Sequence, residues 1–246
     1  MKCLVTGVSR GIGRATAAEL LRQGHFVWGL SRTPAAGLAE IGGDRFRAAT
    51  CDVGNGADCV RAAAEMDAAG FVPDAVVLNA AIEYNEDKSE LAWPKMEQTL
   101  RVNVEGALFW VAHWLNGRTE RPGQFVLLSS LLARWPDADC PAYSASKAAT
   151  TMAFRALRLR QAGDATRFKI VYLGPVHTSI NPRFVAQGAP PRGVAAPEAV
   201  ARHLANVVLS KKRSVFYYPW TTGLVCRFGA WMPDGFFERL TRPLRR

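Results

Sequence analysis

A glycine-rich turn near the N-terminus constrains the fold of this chain most strongly. The apolar run of residues 2–6 leads directly into Gly7, Gly11 and Gly13, and an amphipathic stretch of helical composition follows. Glycines allow the backbone to turn tightly and to approach a ligand closely, while the N-terminus of the next helix offers free N–H groups to an anion. Because strand, glycine turn and helix occur in this order, the sequence predicts a nucleotide-binding α/β fold with a pyrophosphate at the turn.

Short apolar runs alternate with alanine-rich stretches along the rest of the 246 residues, which is typical of repeated βαβ units. The predicted strands cover residues 2–6, 26–30, 45–50, 75–78, 124–129, 168–173 and 214–217. The predicted helices cover residues 11–23, 55–69, 89–115, 143–161 and 197–209. We therefore expect an α/β protein with a Rossmann-type, doubly wound sheet of seven parallel strands in a single domain, residues 1–220.

Four further residues occur in an order that resembles the short-chain dehydrogenase/reductase family. The Thr-Gly-x-x-x-Gly-x-Gly spacing of residues 6–13 is similar to that family's glycine motif, and Tyr143 and Lys147 match its Tyr-x-x-x-Lys motif. Ser130 lies 13 residues before Tyr143 at the end of a predicted strand, where the family's catalytic serine falls. Asn103 lies in the helix that supplies the fourth catalytic residue. The resemblance thus implies a catalytic tetrad of Asn103, Ser130, Tyr143 and Lys147.

The same resemblance implies a nicotinamide dinucleotide bound along the carboxyl ends of the strands. The residues that it assigns to the cofactor are Gly7, Ser9, Arg10, Gly11, Ile12, Gly13, Ser31, Arg32, Asp52, Val53, Asn79, Ala80, Ala81, Tyr143, Lys147, Gly174, Val176 and Thr178. Two positions depart from the family pattern, because Ala81 replaces a glycine and Leu173 replaces a proline. Ala81 is unstrained only if its φ is negative.

The tetrad suits reduction of a carbonyl group. Hydride addition needs a proton donor at the carbonyl oxygen, and a tyrosine with the ordinary pKa of ~10 is poorly matched to neutral pH. Tyr143 and Lys147 are four residues apart and share a helical face, so we expect the ammonium to lower the pKa of the phenol. Ser130 is expected to hydrogen-bond the substrate oxygen, and Asn103 to hold a water that relays protons to Lys147.

The end of the second predicted strand indicates which dinucleotide is used. Proteins specific for NAD place an acidic residue there to accept a hydrogen bond from the ribose, whereas this chain has Ser31 and Arg32. Arg32 and Arg10 together suit the extra phosphate of NADP through charge-assisted hydrogen bonds. The sequence therefore predicts NADPH as the cofactor.

The predicted mouth of the site is apolar and aromatic. Tyr84 and Asn85 follow the fourth strand, residues 131–135 follow Ser130, and Phe184 lies with Val185 in a long proline- and glycine-rich stretch. Such a long connection suits a substrate lid, which we expect over about residues 178–197. We therefore expect an NADPH-dependent reductase of a hydrophobic ketone, aldehyde or acyl substrate, reversible as an alcohol dehydrogenase. The alternative is a nucleotide-binding regulatory protein of the same fold without turnover.

The C-terminal tail, residues 221–246, is basic and amphipathic. Eight basic and two acidic residues lie in 211–246, which therefore carry +6 of the formal net charge of +10. Leu224, Phe228 and Trp231 share one predicted helical face. This pattern suits a peripheral contact with a membrane, but a cap over the substrate pocket or a subunit contact is the interpretation that we favour. No nucleic-acid recognition motif accompanies the charge, so we expect no nucleic acid partner.

The cysteines and the terminal sequence exclude several other classes. Five cysteines form no Cys-x-x-Cys pair and no zinc-type spacing with histidine, so free thiols and no metal site are expected. A secretory signal is not recognisable, and the apolar stretches are shorter than the ~20 residues that span a bilayer. We expect a cytoplasmic protein, and the family resemblance implies a homodimer or homotetramer.

Overall fold

The computed structural model describes residues 1–84, 91–116, 118–161, 165–180, 193–211, 214–233, 235–236 and 239. The described residues form a sheet of seven parallel strands in the order β3-β2-β1-β4-β5-β6-β7. The strands are β1 Lys2–Thr6, β2 Phe26–Ser31, β3 Phe46–Thr50, β4 Ala75–Leu78, β5 Gln124–Ser130, β6 Arg167–Leu173 and β7 Val215–Tyr218. Each lies within one residue of its predicted bounds, so the prediction of a doubly wound parallel sheet is confirmed.

Helices connect the strands. Those described are α1 Gly11–Arg22, α2 Leu38–Gly42, α3 Gly56–Ala68, α4 Trp93–Leu100, α5 Gly106–Leu115, α6 Pro141–Arg160, α7 Pro197–Leu209 and α8 Trp220–Trp231. The single helix predicted over 89–115 is instead α4 and α5 joined by a π-helical turn, Arg101–Glu105, and its first two residues lie outside the described part. The five-residue helix α2 was not predicted, because so short a helix leaves no periodic pattern.

Both faces of the sheet are covered by helices. Successive side chains of β1 belong to different apolar clusters, with Leu4 on one face of the sheet and Cys3 and Val5 on the other. This alternation is expected because neighbouring side chains of a strand point to opposite faces. The cluster with Leu4 includes buried residues of α3, α5 and α6, whereas the other includes buried residues of α1 and α7. The chain is therefore a three-layer α/β fold.

The strand order of the sheet reverses between β1 and β4. From β1 the chain adds β2 and β3 on one side, and then crosses to β4 on the other side. In open parallel sheets ligands bind at the carboxyl ends of the strands, where the strand order reverses in this way. The loops after β1 and β4 are therefore expected to form the centre of a binding site.

Lys169 is a buried cation in the middle of β6. Its Nζ donates hydrogen bonds to the carbonyl oxygens of Val207 at 2.6 Å and Ser210 at 2.5 Å, both at the C-terminal end of α7. Burial lowers the pKa of this ammonium to about 8. Lys169 therefore joins the sheet to α7 at a cost in desolvation.

Among the residues that the structure describes, no helix combines the length and apolar character that crossing a bilayer requires.

Candidate active site

A cavity of about 330 Å³ lies at the carboxyl ends of the strands, where the fold predicts a site. Its wall comes from the loops that follow six strands and from one face of α6. The sequence-predicted residues on this wall are Gly7, Ser9, Arg10, Gly11, Ile12, Ser31, Arg32, Asp52, Val53, Asn79, Ala80, Ala81, Ser130, Tyr143, Lys147, Gly174, Val176 and Thr178. Gly13 and Asn103 are the two predicted residues that lie behind the wall instead.

The glycine turn leaves room for a ligand backbone to approach. Gly7 and Gly11 have φ of +78° and +58°, which side-chain-bearing residues rarely adopt. A Cβ on Gly13 would lie 2.2 Å from the carbonyl oxygen of Gly7, so this glycine allows α1 to pack against the turn. No side chain caps the N-terminus of α1 at Arg10, which leaves its first N–H groups for an anion. The turn therefore fits a pyrophosphate.

Asn79 holds the loop after β4 against the glycine turn. Its Nδ2 donates to the carbonyl oxygen of Thr6 at 2.8 Å, and Thr6 Oγ1 accepts hydrogen bonds from the backbone N–H groups of Asn79 and Ala80, each at 3.0 Å. No described residue other than glycine has a positive φ, so Ala81 is unstrained where the family has glycine. The backbone of the cavity wall therefore accepts alanine at position 81, where the family has glycine.

The basic end of the cavity contains Arg10 and Arg32, both exposed. Arg32 Nη1 lies 4.0 Å from Asp52 Oδ2, a long contact between exposed groups that contributes little stability. Asp52 Oδ1 also accepts a hydrogen bond from the N–H of Gly54 at 2.9 Å. The end of β2 carries Ser31 and Arg32 rather than an acidic residue, and Ser31 Oγ donates to the carbonyl oxygen of Thr33 at 2.7 Å. This end of the cavity fits an additional phosphate.

Three tetrad residues meet at the other end of the cavity. Ser130 ends β5, and its Oγ accepts a hydrogen bond from the N–H of Leu132 at 3.1 Å. Tyr143 and Lys147 lie one turn apart on α6, with Lys147 Nζ 5.5 Å from the centre of the Tyr143 ring. Lys147 is buried, and its Nζ donates to the carbonyl oxygen of Leu128 at 2.9 Å. The ammonium is thus anchored to β5 beneath the phenol.

The protonation of Tyr143 differs from the expectation. Desolvation by the surrounding protein raises its pKa well above the ordinary value, and the charge of Glu83 raises it further, against a hydrogen bond with Ser130. Burial lowers the pKa of Lys147 to about 8, and Glu83 opposes this change. The expectation of a lowered pKa for Tyr143 is therefore wrong in this structure, where burial is the largest cause of the shift.

Asn103 lies in the π-helical turn and is buried. Its Oδ1 accepts from the N–H of Ile82 at 2.8 Å, and its Nδ2 donates to the carbonyl oxygen of Ile82 and to Ser146 Oγ, each at 2.9 Å. The side chain therefore joins the loop after β4 to α6 and uses both amide hydrogens. Its role in a water relay stays a prediction.

The segment expected to form a lid is described only at its two ends. Val176 pairs with Ala195, and the N–H of His177 donates to the carbonyl oxygen of Ala195 at 2.9 Å. Thr178 and Ile180 line the cavity, whereas residues 181–192 lie outside the described part. The described ends therefore place the start of this segment on the site, and the lid itself stays a prediction.

Comparison with known proteins settles the family. A sequence model of the short chain dehydrogenases matches residues 2–188. The chain belongs to the short-chain dehydrogenase/reductase family. A glucose 1-dehydrogenase of Gluconobacter oxydans is 30% identical to this short-chain dehydrogenase over 73% of the chain and 71% of the relative. An uncharacterised oxidoreductase of Myxococcus xanthus is 27% identical over 98% of the chain and 96% of the relative.

Solved structures confirm the fold of this short-chain dehydrogenase. A serine dehydrogenase complexed with NADP⁺ superposes with a TM-score of 0.79 at 24% identity, covering 88% of this chain and 94% of the other. An alcohol dehydrogenase of Thermococcus sibiricus gives 0.75 at 20% identity, covering 88% and 94%. The sequence-based expectation of an NAD(P)-dependent oxidoreductase that acts on CH–OH or carbonyl groups is confirmed.

Two carboxylates of this short-chain dehydrogenase were missed by the sequence analysis. Glu83, in the loop after β4, and Asp137, in the loop after β5, both line the cavity. Tyr84 does not line the cavity, and its hydroxyl donates to Gln98 Oε1 at 2.7 Å. Of residues 131–135, which were expected at the mouth, Leu131 and Leu132 lie on the wall and 133–135 do not. Asn85, Phe184 and Val185 lie outside the described part. The only feature of the sequence that could have indicated Glu83 and Asp137 is that each lies in a loop that follows a predicted strand.

Proposed function

We propose that this chain is an NADPH-dependent reductase of a hydrophobic ketone, aldehyde or acyl substrate, reversible as an alcohol dehydrogenase. The observation that carries the proposal is a single cavity that joins the glycine turn to Ser130, Tyr143 and Lys147. A phosphate-binding turn and a proton donor are both needed when hydride and proton reach one carbonyl group. Leu131, beside the tetrad, supplies apolar surface for the substrate.

Tyr143 and Ser130 act on the substrate oxygen, and Lys147 acts on Tyr143. When bound, the reduced nicotinamide supplies the hydride that the carbonyl carbon accepts. The Tyr143 hydroxyl, which is protonated at neutral pH, donates its proton to the oxygen as negative charge develops there. Ser130 Oγ donates a hydrogen bond to the same oxygen. Lys147, with a pKa of about 8, is the stronger acid of the pair, so returning a proton to the tyrosinate is favourable.

We assign the cofactor preference to Arg10 and Arg32. Both are exposed cations on the cavity wall next to the end of β2, where a ribose hydroxyl would otherwise need an acidic partner. The weak contact of Arg32 with Asp52 leaves most guanidinium donors for a phosphate. The proposal is therefore NADP rather than NAD.

The proposal is tested by nicotinamide absorbance, with NADPH and NADH offered alongside hydrophobic ketones, aldehydes and acyl thioesters. We expect consumption of the reduced cofactor with at least one carbonyl class and a preference for NADPH of at least tenfold. Tight binding of NADPH without consumption across the panel would favour the regulatory protein instead. A regulatory protein without turnover would not need the buried Lys147 ammonium, whose desolvation costs free energy.

A further inference from the structure

Two buried thiols are in contact at the wall of the cavity. Cys51 follows β3 and lines the cavity, and Cys59 lies in the first turn of α3. Their Sγ atoms are 3.9 Å apart and share a hydrogen bond, and each residue is 1% exposed. Neither thiol has a part in the function proposed above. The contact therefore brings two oxidisable groups together at the edge of the proposed cofactor site.

The segment between the two cysteines carries part of the cavity wall. Asp52 and Val53 line the cavity, and Cys59 Sγ donates to the carbonyl oxygen of Val53 at 3.5 Å. The N–H of Asp52 donates to Asp58 Oδ2 at 3.0 Å, which joins the wall to the first turn of α3. The geometry of this part of the wall therefore depends on where the Cys59 thiol lies and on the hydrogen that it carries.

A disulfide between the two thiols would alter the wall. Bonded sulfurs are about 2 Å apart, so the two Sγ atoms would have to approach by roughly half of their separation of 3.9 Å. The carbonyl oxygen of Val53 would lose its thiol donor, because a disulfide carries no S–H group. Cys51 adjoins Asp52, so movement of Cys51 toward α3 displaces a residue that lines the cavity. Oxidation would therefore change a surface that NADPH is proposed to contact.

The pair also suits oxidation chemically. A thiolate is the form that attacks an oxidant. The hydrogen bond with Cys51 lowers the pKa of the Cys59 thiol, against the effect of burial, and the same bond together with burial raises the pKa of Cys51. Cys59 is therefore the more acidic thiol, and the cavity wall at Cys51 is the side from which a small oxidant reaches the pair.

We propose that Cys51 and Cys59 form a redox modification site, in which hydrogen peroxide joins them in a reversible disulfide that weakens the binding of NADPH. The Cys59 thiolate attacks the peroxide, so an S–O bond forms, the O–O bond breaks and hydroxide leaves. Cys51 then attacks this sulfur, so the S–S bond forms, the S–O bond breaks and a second hydroxide leaves. The two thiol protons convert both hydroxides to water. Peroxide is thereby reduced, and the two thiols are oxidised.

This inference goes beyond the proposed function, and its effect on NADPH rests on the cofactor site proposed there. The test compares the reduced chain with the chain treated with hydrogen peroxide in the absence of cofactor. We expect peptide mapping to identify a disulfide between Cys51 and Cys59, and fluorescence titration to show that NADPH affinity has fallen at least fivefold. Dithiothreitol should restore the affinity. NADP⁺ added before the peroxide should slow disulfide formation at least fivefold, because binding and oxidation oppose each other.

Two variants separate this pair from the other thiols. Cys59→Ala should bind NADPH within about threefold of the reduced wild type and keep that affinity after peroxide treatment. Cys226→Ala is the matched control, since it removes another buried thiol of the same apolar cluster and leaves the pair intact. It should lose NADPH affinity on oxidation as the wild type does. If Cys59→Ala does not fold, the mapped disulfide and its reversal by dithiothreitol in the wild type decide the question.

Several results would overturn the inference. Peptide mapping that finds the two thiols unmodified, or oxidised separately without a bond between them, would contradict the disulfide. A mapped disulfide with unaltered NADPH affinity would contradict the effect on the cofactor site, and a loss of affinity that persists in Cys59→Ala would place its cause in another residue. Failure of the reduced chain to bind NADPH would contradict the proposed function, whereas the mapping needs no cofactor and tests the thiol pair separately.

Discussion

Arg32, the cation at the end of β2, is the residue on which we expect the choice between NADPH and NADH to depend most directly. Arg32 is exposed, and its neighbour Asp52 lies 4.0 Å away, so the guanidinium is available to a ligand at the basic end of the cavity. Charge-assisted hydrogen bonds to a phosphate contribute ~1.5–3 kcal/mol, and ~1.4 kcal/mol corresponds to a tenfold change in affinity. Cofactor preference is therefore expected to change with this side chain alone.

Arg32→Asp should lower kcat/KM for NADPH at least tenfold and shift the preference toward NADH. The substitution removes the cation and installs an acceptor for a ribose hydroxyl, and Arg10 retains part of the phosphate contact. Steady-state kinetics with both cofactors at fixed ionic strength measures the shift. Arg22→Asp, at the exposed end of α1, is the control. A wild type that prefers NADH, or a ratio that stays the same in Arg32→Asp, would show that Arg32 is a surface charge.

Gly13→Ala tests the packing behind the cofactor turn. Its Cβ would lie 2.2 Å from the carbonyl oxygen of Gly7 and 2.3 Å from Asn79 Nδ2, so the turn must shift. We expect NADPH affinity to fall at least tenfold and stability to fall by about 1–3 kcal/mol, as in overpacked sites. Gly56→Ala, which meets no atom within 4 Å, is the matched control. Equal affinities for wild type and Gly13→Ala in a fluorescence titration would refute the role given to this turn.

At the scale of elements, the strands were predictable from sequence, whereas the short helix α2 and the division of the helix predicted over 89–115 were not. Each strand is a short apolar run bounded by polar, glycine or proline residues, so local pattern suffices. Helical composition continues through 101–105, a stretch that contains neither proline nor glycine, so the sequence does not show the π-helical turn that divides α4 from α5. That turn places Asn103 against Ile82 and Ser146, contacts that depend on the packing of distant segments.

Two carboxylates that line the cavity were unpredictable for a related reason. Glu83 and Asp137 lie in loops after β4 and β5, where side-chain direction is decided by the assembled sheet rather than by periodicity. The tetrad, by contrast, could be inferred because its residues occur at spacings that resemble a known motif. Sequence therefore predicted the residues proposed for proton transfer better than the carboxylates that line the same cavity.

Lys169 makes the link between β6 and α7 depend on pH. Burial lowers its pKa from 10.5 to about 8, so the unfolded chain binds more protons than the folded chain between these two values. The contribution of this residue to stability is therefore lowest below about pH 8 and rises as pH increases through the window. The shift corresponds to about 3 kcal/mol at most.

The unfolding free energy of wild type minus that of Lys169→Met should accordingly increase from pH 8 to pH 10.5. Taking the difference removes the titration of other groups, including the thiols whose pKa burial raises. Denaturant titrations at several pH values measure it. Lys95→Met, which removes an exposed lysine of α4, serves as the control. A flat or falling difference for Lys169→Met would contradict the buried-cation account.

At the scale of the whole molecule, the first part of the C-terminal tail forms most of α8, which packs against the rest of the fold. Thr222 and Cys226 are buried, whereas Trp220, Leu224, Phe228 and Trp231 are exposed. The proposed boundary at residue 220 stays a prediction, but α8 begins there and contributes to the packed interior. Deletion of residues 232–246 should therefore preserve folding and NADPH affinity within about threefold, because each cofactor residue lies upstream. Loss of NADPH binding in a calorimetric titration of this truncated chain would show that the tail completes the cofactor site.

The central claim is that one cavity binds NADPH and uses Tyr143 to protonate the substrate. Tyr143→Phe tests it most directly, since the ring stays and the hydroxyl is removed. The account predicts NADPH affinity within about threefold of wild type, measured by fluorescence titration, and turnover of the best carbonyl substrate below a tenth of wild type. A tenth of the rate corresponds to ~1.4 kcal/mol of barrier. Turnover above that level, or loss of NADPH binding in parallel with turnover, would contradict the assignment of Tyr143 as the proton donor.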